Sequence, residues 1–468
     1  SGIYKRNYFK YKFDDSELST AVNNWLDDSS GAIVNYGHIT NWDVSQVTDM
    51  NNLFLNNFTF NEDISSWDVS NVTQMQQMFY EAHAFNQPIG GWNVSKVNNM
   101  NGLFREAHAF NPPLNSWNVS SVTDMSYMFE FSAFNSDISD WDVSNVSNMK
   151  GMFSATDYDQ PLNSWNVSKV TDMALMFHDT AYNQTLDGWD VSSVQWLNGM
   201  FKYNQSFNQP LNTWNVYSVK STNQMFRMIN NGAFNYPLNN WVFPSATDIS
   251  WMFCHCKSFN QNLNSWNVSK IYTLENMFHG CDIFNQPLDS WDVSSVENMR
   301  NMFSGCYAFN QHLDSWDVSS VTRMKEMFHD ATNFNQPLNS WNVSKVTDMV
   351  SMFNNAESFN QDISNWNIEN VNDWTEFGLN ATSMSDEFQA IIDLSGIYKR
   401  NYFKYKFDDS ELSTALNNWF DDSSGAIVNY GHISYWDVSQ VTNMNILFLN
   451  NFTFNEDITN WDVSSVTR

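Results

Sequence analysis

Aspartate and asparagine side chains recur along the chain at a spacing that suggests cation binding. Each directly follows a tryptophan, and successive members lie about 25 residues apart. The series is Asp43, Asp68, Asn93, Asn118, Asp142, Asn166, Asp190, Asn215, Asn267, Asp292, Asp317, Asn342 and Asn367. Carboxylates stacked in adjacent repeats can share Ca²⁺, which takes several oxygen ligands. We expect a solvated polar ladder without any cofactor; a weak calcium site at Asp292 and Asp317 is the alternative.

Disulfide formation between cysteines is a second chemistry that the spacing allows. Cys256, Cys281 and Cys306 lie 25 residues apart, and Cys254 is close to the first of them. If adjacent coils stack about 5 Å apart, these thiols come within disulfide reach. The simpler interpretation is a small buried residue, because alanine holds this place in several other repeats.

Catalytic motifs are not evident. No P-loop, HExxH, GxSxG or GxGxxG pattern stands out, and the nine histidines are scattered. The 22 basic and 51 acidic residues give a net charge of −29, which argues against nucleic acid as a partner because phosphate binding needs clustered Lys and Arg. No apolar run is long enough for a membrane span in this segment. We predict a protein without enzymatic activity.

The elements that position these side chains are repeats headed by tryptophan. In the repeat that starts at Trp67, apolar residues stand 8, 11, 12 and 15 positions later, at Met75, Met78, Phe79 and Ala82. This is the i, i+3, i+4, i+7 spacing of one helical face. It predicts a short helix of about two to three turns in each repeat.

A short strand is predicted to follow each turn. Ile89, Trp92 and Val94 show an apolar-x-x-Trp-x-Val pattern, and alternation directs Trp and Val to one face. We interpret the tryptophans as core residues rather than as a sugar-stacking surface. The Asn of each Phe-Asn pair, such as Phe85-Asn86, is expected to bond turn backbone from coil to coil.

The fold class that follows is an α/β solenoid. It is a stack of coils with one short parallel strand and one short helix per repeat of about 25 residues. Because stacked coils leave apolar faces open at both ends, helical end caps are expected as well.

The repeat resembles the BspA-like leucine-rich-repeat surface proteins. Its pattern, W-[DN]-V-S-x-V-T-x-M-x-x-M-F-x-x-A-x-x-F-N-Q-P-L, is similar to their bacterial and protist surface repeat. Leu338, Trp341 and Val343 stand where leucine-rich repeats carry L-x-x-L-x-L. The resemblance extends from about Gly37 to Val371 and resumes at Gly431. It implies a leucine-rich-repeat-like, right-handed coil stack. It also implies that this solenoid is secreted or surface-displayed and is used for adhesion or structure.

A longer repeat is superimposed on the short one. Residues 1–73 return almost unchanged as 395–467, an offset of 394. We divide the chain into an N-terminal cap (1–41), a solenoid of about 14 coils (42–371), a junction of two caps (372–435) and the first coils of a second block (436–468). Both ends are interpreted as internal cuts in a longer polypeptide.

A basic strip marks the junction in this acidic chain. It contains Lys399, Arg400, Lys404 and Lys406, and the first copy carries Lys5, Arg6, Lys10 and Lys12. We expect these residues to make assembly contacts with an acidic surface of a neighbouring chain. The alternative is that the strip only belongs to caps that join two blocks back to back.

The function predicted from these features is that of an extracellular structural and adhesive protein. Tandem solenoid blocks form a long surface fibre by self-association. The alternative is a surface receptor or adhesin whose acidic sheet face binds a protein or glycan ligand. N-glycosylation is expected at the sequons of Asn57, Asn71, Asn380 and Asn451.

Overall fold

The structure, a computed structural model, describes most of the chain. The described residues are 11–229, 231–363, 366–383, 407–430, 433–449, 451, 453–459 and 461–468. The chain divides into two compact units, Ser1–Asn262 and Leu263–Arg468. No helix in the described part is both long enough and apolar enough to cross a membrane.

Two helices form the cap of the first unit: α1, Asp15–Asp27, and α2, Ser29–Tyr36. The side chain of Asp14 accepts a hydrogen bond from the N–H of Glu17 at 2.8 Å, and the N–H of Asp14 donates to the Glu17 carboxylate at 3.2 Å. This reciprocal capping box satisfies two backbone groups that would otherwise lack partners. The side chains that α1 buries are Leu18, Ala21, Val22 and Trp25.

The second unit contains the same cap again, as α3, Asp409–Asp421, and α4, Ser423–Tyr430. Asp408 and Glu411 form the same capping box at the start of α3. A short 3₁₀ turn, Ile433–Tyr435, then leads to the next repeat tryptophan, as Ile39–Asn41 does in the first unit; another such turn spans Ile89–Gly91.

Coils are joined by single parallel bridges seven residues after each repeat tryptophan. In the first unit they link Asp49, Gln74, Asn99, Asp124, Asn148, Asp172, Trp196, Ser221 and Asp248 in succession. In the second unit they link Thr273, Asn298, Arg323, Asp348 and Asp373. Each bridge fixes the register of one coil on the next, so equivalent side chains stack in rows.

Two consecutive turns follow each bridge. In the coil of Trp42, the N–H of Leu53 donates to the carbonyl of Met50, and Asn52 between them has φ 60°. Positive φ at this place is the mark of a type II turn. The next turn is built in the same way around Asn56, with φ 58°.

Backbone groups in these turns alternate between two kinds of partner. The N–H groups of Met50 and Asn52 both donate, at 2.9 Å, to Gln74 and Gln76 carbonyls in the next coil. The N–H of Leu53 donates within its own turn at 3.4 Å. Every second residue thus bonds between coils, and we call the stretch from 7 to 14 residues after each repeat tryptophan the turn ladder.

The turn ladder stands where the short helix was predicted. Within the described residues, α-helix occurs in the caps and not in the coils, so the prediction of one helix per repeat is wrong. Helix and turn ladder direct the same apolar residues inward, because Met75, Met78, Phe79 and Ala82 are all fully buried. Periodicity alone therefore could not separate the two.

The predicted strand is also replaced. The N–H of Trp341 donates to the carbonyl of Leu338 at 3.1 Å, and Val346 donates to Val343 at 2.9 Å, so this segment consists of tight turns. The parallel bridges lie in the turn ladder instead. The burial expected of the Trp and Val side chains is confirmed, with Trp341 3% and Val343 1% exposed.

Aromatic rings stack along the core of each unit. The Phe79 and Phe104 ring centroids are 5.6 Å apart, and Phe104 and Phe129 are 5.8 Å apart, with nearly parallel planes. Parallel offset rings add to the stability that their burial provides. One coil cannot bury such a face alone, so the stack is the stable unit.

The predicted asparagine ladder is confirmed. Asn310 Oδ1 accepts a hydrogen bond from the N–H of Asn335 at 2.9 Å, and Asn335 Oδ1 accepts from the N–H of Asn360 at 3.0 Å. The side chain of Gln336 donates to the same Asn310 oxygen at 2.9 Å. In the first unit Asp159 takes the place of one asparagine and accepts from Asn183 at 2.9 Å.

Candidate functional site

A cleft of about 360 Å³ opens on the turn ladder of the first unit. It crosses four successive coils, and its lining residues are Lys150, Asp172, Ala174, Leu175, Trp196, Asn198, Gly199, Lys202, Asn223 and Gln224. Its volume falls within the usual range of ligand sites, about 300–1,000 Å³. The cleft is the candidate binding site of this unit.

Small and large residues in adjacent coils create this depression. Ala174 and Gly199 are buried, and they stand where neighbouring coils carry larger side chains such as Asn223 and Gln224. Trp196 lines the same cleft and is 40% exposed. The backbone ladder holds these positions in rows, so a change of side-chain size in one coil becomes a depression in the surface.

Trp196 cannot accept the hydrogen bond that aspartates accept at the equivalent position of other coils. At the equivalent place, Asp172 Oδ1 accepts the N–H of Ala174 at 2.8 Å, and Asp248 Oδ1 accepts the N–H of Ser250 at 2.9 Å. Such side chains satisfy the turn that follows them. An indole, which has no acceptor, cannot do so. An exposed aromatic residue that gives up a local hydrogen bond is a typical sign of a binding role.

Asn198 adds an unpaired acceptor to the lining. Its Nδ2 donates to Ser221 Oγ at 3.0 Å, but its buried Oδ1 has no hydrogen-bond partner. An unsatisfied buried acceptor costs about 1–3 kcal/mol. A ligand hydroxyl or N–H that enters the cleft could satisfy this oxygen.

Cations surround the cleft although the protein is acidic. Lys150 and Lys202 line it, and the ammonium of Lys220 lies 5.6 Å from the centroid of the Trp196 ring. Burial lowers the pKa of Lys202, and Arg227 lowers it further. Burial raises the pKa of Asp172, although its bond from Ala174 and the charge of Lys150 act in the opposite direction.

The Asp and Asn residues next to the repeat tryptophans have a structural role. Asp292 Oδ1 accepts hydrogen bonds from the N–H of Ser294 at 3.1 Å and from its hydroxyl at 2.6 Å. Asp317 accepts the N–H of Ser319 at 3.0 Å. The Ser319 hydroxyl and N–H lower the pKa of Asp317. Both carboxylates are exposed, and calcium binding between them stays a prediction.

The cysteines follow the simpler interpretation, because all four are buried. The structure shows no disulfide among Cys256, Cys281 and Cys306, which was the alternative. The Sγ of Cys256 donates to the Phe226 carbonyl at 2.9 Å, and that of Cys306 donates to the Phe278 carbonyl at 3.0 Å. These two thiols point to the backbone of the preceding coil instead of to each other. Burial also raises the pKa of Cys256.

The four predicted glycosylation sites lie in different environments. Asn380 is exposed, whereas Asn57, Asn71 and Asn451 are half-buried. Asn71 Nδ2 donates to the carbonyl of Ser45 in the preceding coil at 2.9 Å, so its amide already has a structural partner. Glycosylation stays a prediction, and Asn380 is the most accessible of the four.

The predicted assembly strip falls largely outside the described residues. Lys399, Arg400, Lys404, Lys406, Lys5, Arg6 and Lys10 all lie there. Lys12 is described, is exposed and forms a parallel bridge with Asp43. The cap segment around Lys12 is thus paired with the first coil.

Sequence reasoning missed the cleft. The signal was available, because Trp196 stands seven residues after Trp189, where most repeats carry Asp, Asn, Ser or Thr. Only the stacked structure shows that Trp196 lines a cleft together with residues of three other coils.

Coils that share one core and repeat one backbone ladder define a solenoid repeat protein. The chain belongs to the family described as "Mycoplasma protein of unknown function, DUF285", which matches residues 20–133, 130–235, 179–291, 229–322, 274–391 and 408–468.

Other comparisons add little to this assignment. No curated protein matches the chain. A solved structure, "Crystal structure of TLR13-ssRNA13 complex", is similar at 9% identity over 71% of this chain and 67% of that one, with a TM-score of 0.19. A TM-score this low supports no conclusion about fold or function.

Proposed function

We propose that the chain is part of an extracellular structural or adhesive protein without catalytic activity, in which solenoid blocks follow one another to form a surface fibre. The carrying observation is that the two cap helices recur, as α3 and α4, after the first array of coils. The Asp15 carboxylate accepts the N–H of Thr48 at 2.7 Å, and Asp409 accepts that of Thr442 at 2.6 Å. A near-identical copy adds length and presents the same surface again, which suits a fibre.

The family supports a repeat protein, and the finer assignment to the BspA-like surface proteins belongs to this proposal. Adhesion and surface display follow from the resemblance of the repeats to that group. A net charge of −29 disfavours contact between coils of neighbouring chains and favours contact through the few basic segments. We therefore assign self-association to the strip of Lys399, Arg400, Lys404 and Lys406.

Electron microscopy and sedimentation velocity of the whole chain test assembly. End-to-end particles are expected at low salt, with separation at high salt because surface charges are screened. A variant with serine at the four strip positions should associate more weakly, because only the first copy, Lys5, Arg6, Lys10 and Lys12, remains. The matched control removes four coil lysines to serine instead: Lys96, Lys169, Lys270 and Lys345. Particles that stay single in every buffer, or a control that fails to associate, would contradict this role of the strip.

Surface display is tested on intact source cells. Brief protease treatment should release peptides of this chain while cytoplasmic proteins stay intact. Release only after cell lysis would contradict an extracellular location.

A second function, ligand binding, is favoured by the cleft at Trp196. The aromatic face can stack on a sugar ring, Asn198 Oδ1 and Asp172 can accept hydroxyl groups, and Lys150 and Lys202 can pair with acidic substituents. We propose an acidic saccharide as the ligand. This differs from the acidic sheet face predicted from sequence, because the lining carries lysines.

Two variants that restore the usual residue of their repeat position test this function. Trp196→Asp should abolish saccharide binding on a glycan array and in calorimetry. Tyr217→Ser removes another exposed aromatic residue of the same unit and should leave binding unchanged. Equal binding by the Trp196→Asp variant and the unmodified chain would overturn the assignment.

A further inference from the structure

Two histidines stand at the same place in adjacent coils of the first unit. His83 and His108 each follow their repeat tryptophan by 16 residues, and Glu106 precedes the second histidine by two. The N–H of Ala109 donates to the His83 carbonyl at 3.1 Å, which holds the two coils in register at this point. The coil stack therefore brings His83 next to Glu106 and His108, which belong to the following coil.

Their geometry is that of a metal-binding cluster. The His83 and His108 rings stack with centroids 4.3 Å apart and an interplanar angle of 26°. One nitrogen from each ring and a carboxylate oxygen of Glu106 all lie within 4.8 Å of one another. Metal bonds of about 2.0–2.2 Å need only a modest approach of these atoms. Within the described part of the chain, no other group of three such residues converges in this way.

His83 supplies an independent sign of a missing partner. Its Nε2 is buried and has no hydrogen-bond partner, while Phe58 packs against the ring with centroids 4.7 Å apart. A buried polar atom without a partner is costly. A neutral imidazole nitrogen carries a lone pair, so a metal ion satisfies it as well as a donor would.

Glu106 is not fully engaged by its nearest cation. Arg105 Nε lies 4.0 Å from the Glu106 carboxylate but 2.6 Å from that of Glu130. Arg105 is therefore paired mainly with Glu130. The Glu106 carboxylate remains close enough to the two histidines to act as the third ligand.

We propose that His83, Glu106 and His108 bind a first-row divalent transition metal, with Zn²⁺ as the reference ion. Two imidazoles and one carboxylate are the donor set of zinc sites that keep a position open to water or a further ligand. Ca²⁺ and Mg²⁺ prefer oxygen donors and are disfavoured here. Because the ligands come from two coils, the ion ties the second coil to the third and offers its open position at the surface.

Calorimetric titration of the whole chain with ZnCl₂ tests the site. One saturable ion per chain is expected, with an increase in melting temperature, and excess Ca²⁺ should not displace it. His83→Gln and His108→Gln should each weaken the affinity by more than about tenfold and remove the increase in melting temperature. His108 is exposed, so its variant keeps the test valid if the His83 variant does not fold.

His312→Gln is the matched control. His312 lies 4.0 Å from the Asp314 carboxylate, and the histidine side chain is 69% exposed, but the pair belongs to no three-ligand group among the described residues. Its variant should bind Zn²⁺ like the unmodified chain. Absence of saturable binding, or unchanged affinity in both the His83 and the His108 variants, would overturn the proposal. Substitution with Co²⁺ should give a visible spectrum without thiolate bands, and thiolate bands would assign the metal to the cysteines instead.

Discussion

The indole Nε1 of Trp316 donates a hydrogen bond of 3.0 Å to the backbone carbonyl of Leu288 in the preceding coil. That carbonyl also accepts the backbone N–H of Trp291 at 3.1 Å. The same double acceptance recurs from Trp67 on Ile39 to Trp461 on Ile433. It explains why tryptophan rather than leucine occupies this core position, because an indole, unlike an aliphatic side chain, can donate a hydrogen bond to the preceding coil from within the core.

Trp316→Phe should lower the free energy of unfolding by about 2–3 kcal/mol. The substitution removes an interior hydrogen bond and leaves space in the stack. Urea unfolding followed by circular dichroism measures it. Trp196→Phe, at an exposed tryptophan, should cost less than about 0.5 kcal/mol. Equal effects of the two variants would contradict the role assigned to the indole bond.

The Gly305→Ala variant distinguishes the turn ladder from a helix by the sign of its effect on stability. Gly305 has φ 69°, and a Cβ there would be 3.4 Å from the Cα of Gly280, which is ordinary contact. The substitution therefore costs free energy through the backbone conformation alone. We expect the free energy of unfolding to fall by about 1 kcal/mol. In an α-helix the same change would stabilise by about as much. Thermal unfolding reports the sign directly.

The reverse substitution provides an independent check in the other unit. Ala155 has φ 53° and is half-buried. Ala155→Gly should raise stability by a few tenths of a kcal/mol to about 1 kcal/mol, because glycine adopts this conformation without the steric cost. A large loss of stability would show that the left-handed conformation is not what limits this position.

Asn310→Ala tests the asparagine ladder. The change leaves the backbone N–H of Asn335 and the amide of Gln336 without their acceptor. A loss of about 1–3 kcal/mol is expected. Asn310→Asp keeps the oxygen, as Asp159 does in the first unit, and should cost less. If Asn310→Asp destabilises the fold as much as Asn310→Ala does, loss of the acceptor oxygen is not the cause of the instability.

Asp172→Asn predicts a dependence of stability on pH. Burial raises the folded pKa of Asp172, so the ionised group destabilises the folded state at neutral pH. This cost declines as the pH falls from the folded pKa to the lower unfolded pKa, and it is absent below both. The amide keeps the turn bond, as Asn148 does at 3.1 Å from the Lys150 N–H. The free energy of unfolding of the variant should be higher by a few tenths of a kcal/mol to about 1 kcal/mol at pH 7. No gain should remain near pH 3, and a gain that is constant with pH would contradict the cause.

The exposed aspartates that follow the repeat tryptophans should give the opposite dependence of stability on pH. The hydroxyl and N–H of Ser144 lower the pKa of Asp142, and those of Ser192 lower the pKa of Asp190. These hydrogen bonds stabilise the fold at pH values above the ordinary Asp pKa of 3.8. Their contribution is lost as the pH falls through the lowered pKa values of the folded state.

Much of the core was predictable from the amino-acid pattern. The repeat length, the buried Trp, Val, Met and Phe positions and the asparagine ladder all follow from residue type and spacing, since burial and turn satisfaction depend mainly on those. The cap helices carry their own local signals, such as the capping box at Asp14 and Glu17.

Tertiary stacking decided the rest. The spacing of Met75, Met78, Phe79 and Ala82 fits a helix and a turn ladder equally, and the turn ladder prevails because each coil offers backbone carbonyls to the N–H groups of the coil before it. The same stacking turns the Cys256 and Cys306 thiols toward carbonyls. It also places His83 against His108, a relation 25 residues apart in sequence that exists only once the coils are in register.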